Sequence, residues 1–374
     1  MGKKTPFYPC HLRANAKIVD FAGWEMPLHY GSQLQEHHQV REHAGMFDVS
    51  HMGIVDLQGQ SVPAYLRYLL ANNIDRLHNG KALYTCLLNE QGGVIDDLIV
   101  YKIADDCYRL VINAGTREKD LAWMRKQAAA FTDTEMQIIE RTDLAMLAVQ
   151  GPETQVIIEQ LLAKQDVGFS NTLKNAIALH PFTFCYTDDW LIARTGYTGE
   201  DGYEIMLPAE QAEAFWQNLL DNGIMPCGLG ARDSLRLEAG LNLYGADMDE
   251  TVTPLEANLT WTVALEPKER DFIGRQALEQ QIQQGVQHRL VGLVLTAPGV
   301  IRSHQAVFNQ DQQIGEVTSG GYSPTLDQSI AFARVTADIG TQCWIEIRNK
   351  RLPAQVVKPP FVRQGQKVFC TEQK

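Results

Sequence analysis

Two stretches of this chain repeat one order of elements, and that repetition limits its folds more than any single motif does. "GIVDLQGQSVPAYLRYLL" (53–70) reads as a strand, a turn and a helix with apolar residues at helical spacing, and so does "LAMLAVQGPETQVIIEQLL" (144–162). Downstream of the first, "CYRLVINAGTREKDLAWMRKQAAAF" is a strand followed by a helix with Thr116 at its N-cap. Downstream of the second, "GYEIMLPAEQAEAFWQNLLDNG" is a strand followed by a helix opened by Pro208 and closed by Gly223. Gln58 and Gln150 are 92 residues apart, Tyr108 and Tyr203 are 95 apart. Near-equal offsets predict an α+β fold of two related units within 1–265, the second starting near 144. Each has the form strand, helix, two or three strands, helix, and short hairpin-like turns between the central strands make the sheets antiparallel.

From about residue 288 the texture changes to short β-rich runs, "HRLVGLVL", "QSIAFARV", "CWIEIRN" and "LPAQVVKPPF", separated by turn-forming residues. That is the signature of a barrel or sandwich, which assigns 288–374 to a C-terminal β-domain. The polar stretch 266–287 is a linker, helical in part.

With 374 residues, 45% of them hydrophobic, the chain can build sizeable cores. Thirty-three basic against 45 acidic side chains, net −12, offer no general attraction to nucleic acid or an anionic membrane. Seven scattered cysteines without a CxxC pair argue against a disulfide framework or structural zinc and fit a reducing compartment. The amino terminus lacks an apolar leader and no run approaches the roughly 18 apolar residues of a spanning helix, so the cytoplasm is the expected location.

The chemistry resides in carboxylates set into apolar strands. In "GGVIDDLIVYK" (92–102), Asp96 shares a strand face with Val94, Leu98 and Val100, and Asp97 shares one with Ile95, Ile99 and Tyr101. Neither face is polar, and an ionised carboxylate there is costly unless paired, hydrogen-bonded or neutralised. Glu204 in "GYEIML" repeats the pattern after the glycine-rich "RTGYTGEDG", itself readable as a wide hairpin turn. In "CGLGARDSLRLEAGL", Arg232 and Arg236 lie on one helix face, where like charges repel unless something negative lies opposite. Asp233 and Glu238 are the local candidates; a buried carboxylate such as Asp97, or an anionic ligand, is the alternative.

"MFDVSHMG" holds Asp48, Ser50 and His51, but neighbouring strand residues face opposite ways and no GxSxG elbow occurs, so a hydrolase triad is discounted. "HHQVREH" and "DMDE" lack a metal-ligand spacing and are expected to be solvated surface. Nor is there a GxGxxG or P-loop sequence. The residues therefore describe an enzyme or binder whose pocket draws on Asp97, Glu204 and Arg232, without naming a substrate.

Taken together, "DFAGWEMPLHYGS", "GMFDVSHMG", "GGVIDDLIVYK", "RTGYTGEDGYE", "GLGARDSLRLEAGL" with "LYGADMDE", and "TSGGYSPTLDQSIAFARV" resemble the T-protein family of the glycine cleavage system, in the family's order over essentially the whole chain. The resemblance implies a central tetrahydrofolate site with two α+β units around it, a C-terminal β-barrel, and no metal. It implies aminomethyltransferase activity: the aminomethyl group on the lipoyl arm of an H-protein partner loses ammonia, and its carbon becomes methylene-tetrahydrofolate. It implies Asp97 as the catalytic carboxylate, Glu204 on the pterin edge and Arg232 beside them. Tyr84, Asn113, Met52 and Tyr197 match positions around the folate, and the basic candidates for its glutamate tail are Arg363 and Lys367. The alternatives are a folate-dependent module of the sarcosine or dimethylglycine dehydrogenase kind, and a folate-binding accessory protein without transferase activity.

Overall fold

The computed structural model describes residues 2–131, 136–163, 176–187 and 190–369. The chain forms two compact units: unit 1 comprises Met1–Leu69, Ile74–Thr85 and Leu98–Arg232, and unit 2 comprises Leu70–Asn73, Cys86–Asp97 and Asp233–Lys374.

After a hairpin of β1 (Lys17–Phe21) and β2 (Trp24–His29), the strands are β3 (Gly45–Asp48), β4 (Gly53–Gln58), β5 (Lys81–Leu88), β6 (Val94–Ala104), β7 (Cys107–Ile112) and β8 (Gln137–Glu140). They continue as β9 (Leu144–Gln150), β10 (Phe184–Thr187), β11 (Trp190–Ala193), β12 (Gly202–Pro208) and β13 (Met225–Pro226). One sheet has the order β5-β6-β7-β4-β8 and the other β10-β11-β12-β9-β3-β13. The first four strands of each follow one scheme, in which the strand that opens the repeat returns to pair with the last of the following three. The register repeats as well. Gln58 opposes Cys107 and Leu57 opposes Tyr108; Gln150 opposes Gly202 and Val149 opposes Tyr203. Both offsets read from the sequence are thus one structural equivalence. The short β13 departs from the antiparallel expectation by pairing parallel with β3.

The helices form where apolar periodicity meets these sheets. Val62–Leu69 buries Val62, Tyr65, Leu66 and Leu69. Ala212–Asp221 buries Phe215, Trp216 and Leu219 in a core with Leu147, Val149, Ile205 and Leu207. It is preceded by a 3₁₀ turn after Pro208, and Gly223 ends it at φ 87°. Thr116 occupies the N-cap of Arg117–Ala128, yet its hydroxyl donates to the Asn113 carbonyl rather than capping the helix. Every residue of β9 and β12 is buried, so both faces of these strands are interior and a carboxylate on β12 is buried whichever face it takes.

In unit 2, β14 (His288–Leu295), β15 (Ala306–Asn309), β16 (Gln312–Ser323), β17 (Gln328–Thr336), β18 (Gln342–Ile347) and β19 (Lys350–Val357) close a barrel in the order β14-β17-β16-β15-β18-β19. Leu293, Val317, Ala331, Ala333 and Ile345 fill one core, and Leu237, Phe332 and Phe361 belong to a second. The 266–287 stretch carries the helix Arg275–Gln284, bounded by Gly274 and Gly285. The last five positions assigned to the β-domain, 370–374, lie outside the described residues.

Candidate active site

Unit 1 gathers several of the expected residues around the loop between β11 and β12. This loop joins an antiparallel pair, as a hairpin must, and it is also heavily built. Gln150, at the end of β9, donates from Nε2 to the Thr195 carbonyl (3.1 Å) and accepts from Thr198 Oγ1 (2.9 Å). A Cβ at Gly196 would lie 1.9 Å from Gln150 Oε1, so only glycine lets the loop approach this amide. Arg41 donates to the Thr198 carbonyl and to Glu200 Oε1, each at 2.7 Å.

On this scaffold Glu204 sits in β12 opposite Ala193 and Ala148 and is buried. Thr195 Oγ1 donates to its Oε2 at 2.5 Å. Burial pushes the Glu204 carboxyl above the usual range, and the Thr195 hydroxyl and the Arg232 guanidinium pull the other way. Arg232 stands over the Tyr197 ring, 4.5 Å from its centroid. Glu204, Arg232 and Tyr197 are therefore brought together in unit 1. Met52 is half-buried, next in the chain to buried His51, on which the Arg232 charge also acts. Tyr84 on β5 and Asn113 just past β7 are half-buried in unit 1.

Asp97 belongs to the Cys86–Asp97 segment of unit 2. Along β6, Val94, Asp96, Leu98 and Val100 are all buried, whereas Asp97 and Ile99 on the other face are partly exposed. The inner carboxylate is Asp96 and the accessible one is Asp97. The turn before them is rigidly seated: a Cβ at Gly93 would lie 1.8 Å from the Glu250 carbonyl oxygen. Val94 N donates to the Asp249 and Val252 carbonyls, and Tyr244 Oη donates to the Val94 carbonyl.

Two expectations are corrected. "DMDE" is not solvated surface throughout, because Asp247 is fully buried and accepts from Arg236 Nη1 (2.9 Å), Thr318 Oγ1 (2.5 Å) and Leu243 N (2.9 Å). Nor is "HHQVREH" uniformly exposed, since His37 is buried. Arg236 thus answers to Asp247 besides Asp233, while Glu238 accepts from Ser323 and Thr325 of the barrel. Asp48 does meet a histidine, but it is His11, whose Nε2 lies 2.8 Å from Oδ2 while Tyr30 Oη lies 2.8 Å from Nδ1. Burial would raise the Asp48 carboxyl, yet His11, Thr5 and the Ser50 amide outweigh it and hold it below the usual range. This cluster ties the amino-terminal segment to β3.

Among the described residues, no three His, Cys, Asp or Glu side chains cluster to hold a metal ion. Arg363 lines a cavity of about 610 Å³ with Lys358, Pro360 and Phe369, and Lys367 Nζ stands 4.4 Å from the Phe369 ring centroid. Thr195, Gln150 and Arg41 escaped the sequence reading, and His51 entered it only as part of the discounted hydrolase triad. Only the glycine spacing of "RTGYTGEDG" hinted that something approaches that loop closely.

Comparison with known proteins identifies the family of the chain. Residues 7–267 match the family described as the GCVT N-terminal domain, and 288–363 match the glycine cleavage T-protein C-terminal barrel domain. Aminomethyltransferase of Alcanivorax borkumensis is 54% identical over 369 residues, 99% of either chain. That of Pseudomonas syringae pv. tomato is 53% identical, covering 98% of this chain and 99% of its own. The crystal structure of glycine cleavage system aminomethyltransferase T from Bartonella henselae superposes with a TM-score of 0.89 at 37% identity, covering 99% of this chain and 100% of that one.

Proposed function

Because this chain belongs to the glycine cleavage T-protein family, we propose that its buried Glu204 holds the pterin edge of tetrahydrofolate while Asp97 stabilises the one-carbon unit in transit. The activity is aminomethyl transfer in glycine catabolism; full-length identity to aminomethyltransferases supports this and not the accessory-protein alternative. The observation that carries the folate assignment is Glu204 itself, a carboxylate kept in an apolar strand with one oxygen satisfied by Thr195. The amino group and ring N–H of a pterin offer the paired donors that such an acceptor lacks.

The aminomethyl carbon, bonded to nitrogen and to the lipoyl sulfur, becomes electrophilic when the protonated amine leaves as ammonia. A folate ring nitrogen then attacks that carbon, the carbon–sulfur bond breaks to release the lipoyl sulfur as a thiol, and the linker nitrogen adds and gives up its proton to close the methylene bridge. Positive charge develops at that carbon, and a fixed anionic Asp97 stabilises it; the same carboxylate can take the proton of the linker nitrogen. Arg232, seated on Tyr197, and the Thr195 hydroxyl favour the charged form of Glu204 against the burial that raises its carboxyl. The partner is a lipoylated H-protein. Among the described residues no helix is long and apolar enough to cross a membrane and six cysteines are free, in keeping with a cytoplasmic enzyme.

The decisive experiment follows ammonia released from aminomethyl-lipoyl H-protein with and without tetrahydrofolate. Folate-dependent release supports the proposal, and a chain that binds folate without accelerating release contradicts it. For Glu204→Gln, tetrahydrofolate affinity by calorimetry is expected to fall by about 1–3 kcal/mol, the cost of buried donors losing their partner. The unliganded variant should be more stable at neutral pH. A carboxyl whose folded pKa is raised costs stability above its unfolded value, near 4, and costs nothing well below it. The gain should therefore vanish in acid; unchanged affinity would refute the pterin contact.

A further inference from the structure

His51 has no task in the mechanism above, yet it is 2% exposed and its Nδ1 has no hydrogen-bond partner among the described residues. Such a nitrogen is costly to bury without compensation. The ring is not there as apolar filler alone. It meets Phe21 edge-on at 5.4 Å between centroids, which fixes its plane, and the next residue in the chain is Met52. Burial and then the Arg232 charge push His51 down to about 4, with Asp48 pulling weakly upward, so the ring is neutral at physiological pH. Asp48 spends its own oxygens on His11, Thr5 and the Ser50 amide. Arg232 acts on both His51 and Glu204, which puts the three in one electrostatic neighbourhood of unit 1. A neutral imidazole supplies one donor and one acceptor at fixed positions.

Building on the folate assignment, we propose that His51 is a substrate-contacting residue whose Nδ1 hydrogen-bonds a polar group of the bound folate. The orphan nitrogen is then satisfied only in the loaded enzyme, so the unliganded fold gains nothing from it.

The test titrates tetrahydrofolate into the full chain by calorimetry under anaerobic conditions and records the thermal midpoint of each unliganded variant. His51→Leu keeps the volume and removes both nitrogens. It should weaken tetrahydrofolate about tenfold, the scale of one lost buried hydrogen bond, with the unliganded midpoint unchanged or higher. His51→Asn places an amide where Nδ1 stood and should recover most of that affinity. A His51→Leu variant that binds as the wild type overturns the inference and leaves the folate assignment standing. So does a parallel fall of affinity and midpoint in both variants, which marks a structural residue. Absence of tetrahydrofolate binding to the wild-type chain overturns the assignment and the inference with it.

Discussion

Asp97→Asn is expected to lower turnover by at least about a hundredfold, the usual scale of a positioned acid or base, while tetrahydrofolate affinity and the unfolding midpoint stay near wild type. The expectation rests on the alternation of β6. A strand carrying two adjacent carboxylates must point them in opposite directions, and here the directions are unequal: Asp96 is fully buried among Val94, Leu98 and Val100, whereas Asp97 is partly exposed. A partly exposed carboxylate can meet a ligand without rearrangement of the strand. Its aim is set by the backbone, since Val94 N is held by the Asp249 and Val252 carbonyls and Gly93 is pressed against Glu250. Asparagine keeps the shape and the hydrogen-bonding oxygen but removes the charge, so a large loss isolates the charge as the working element. Asp96→Asn is the control. Its effect should appear in the unfolding midpoint rather than in the rate. Ammonia release at saturating H-protein and tetrahydrofolate gives the readout, and an Asp97→Asn enzyme at wild-type turnover would remove Asp97 from the reaction.

The parts of the fold that were legible in the sequence are those governed by local rules. The repeated strand and helix order follows from apolar periodicity and turn residues, and equivalent registers at Leu57–Tyr108 and Val149–Tyr203 bear out the offsets. Glu204 was legible as a carboxylate in an otherwise apolar strand. What escaped depends on long-range pairing. β3 precedes the first repeat in sequence yet completes the sheet of the second by pairing with β9, and nothing in "GMFD" announces a partner about a hundred residues away. Gln150 reaches Thr198 across 48 positions and Arg41 reaches it across 157, so the clamp on the glycine loop has no local signature. "DMDE" misled because three closely spaced acids resemble a solvated run, while Asp247 turns inward toward an arginine 11 positions earlier. The like charges of Arg232 and Arg236 are reconciled by separate partners: one stands over an aromatic ring, the other binds an aspartate.

Arg236→Ala is expected to cost unit 2 about 3–5 kcal/mol, because it strands the charge of Asp247 in the interior. Arg236 is 3% exposed and Asp247 is fully buried, so water cannot replace the lost partner. Every polar atom of the cluster is otherwise engaged: Arg236 donates to Asp247, Asp233, Ser319 and the Leu241 carbonyl, and Asp247 also accepts from Thr318 and Leu243 N. Set against the roughly 5–15 kcal/mol by which whole domains are stable, the loss should move a denaturant midpoint visibly. The double variant Arg236→Met with Asp247→Leu separates two readings of the pair. If its main role is to satisfy charges already committed to the interior, replacing both with apolar side chains should restore most of the stability, since such swaps are often neutral or better. If the pair also holds the helix Leu229–Glu238 against β16 through Ser319 and Thr318, the double variant should stay well below wild type. A shift under about 1 kcal/mol for Arg236→Ala would be the behaviour of a solvent-screened surface pair, and would contradict the burial on which the prediction stands.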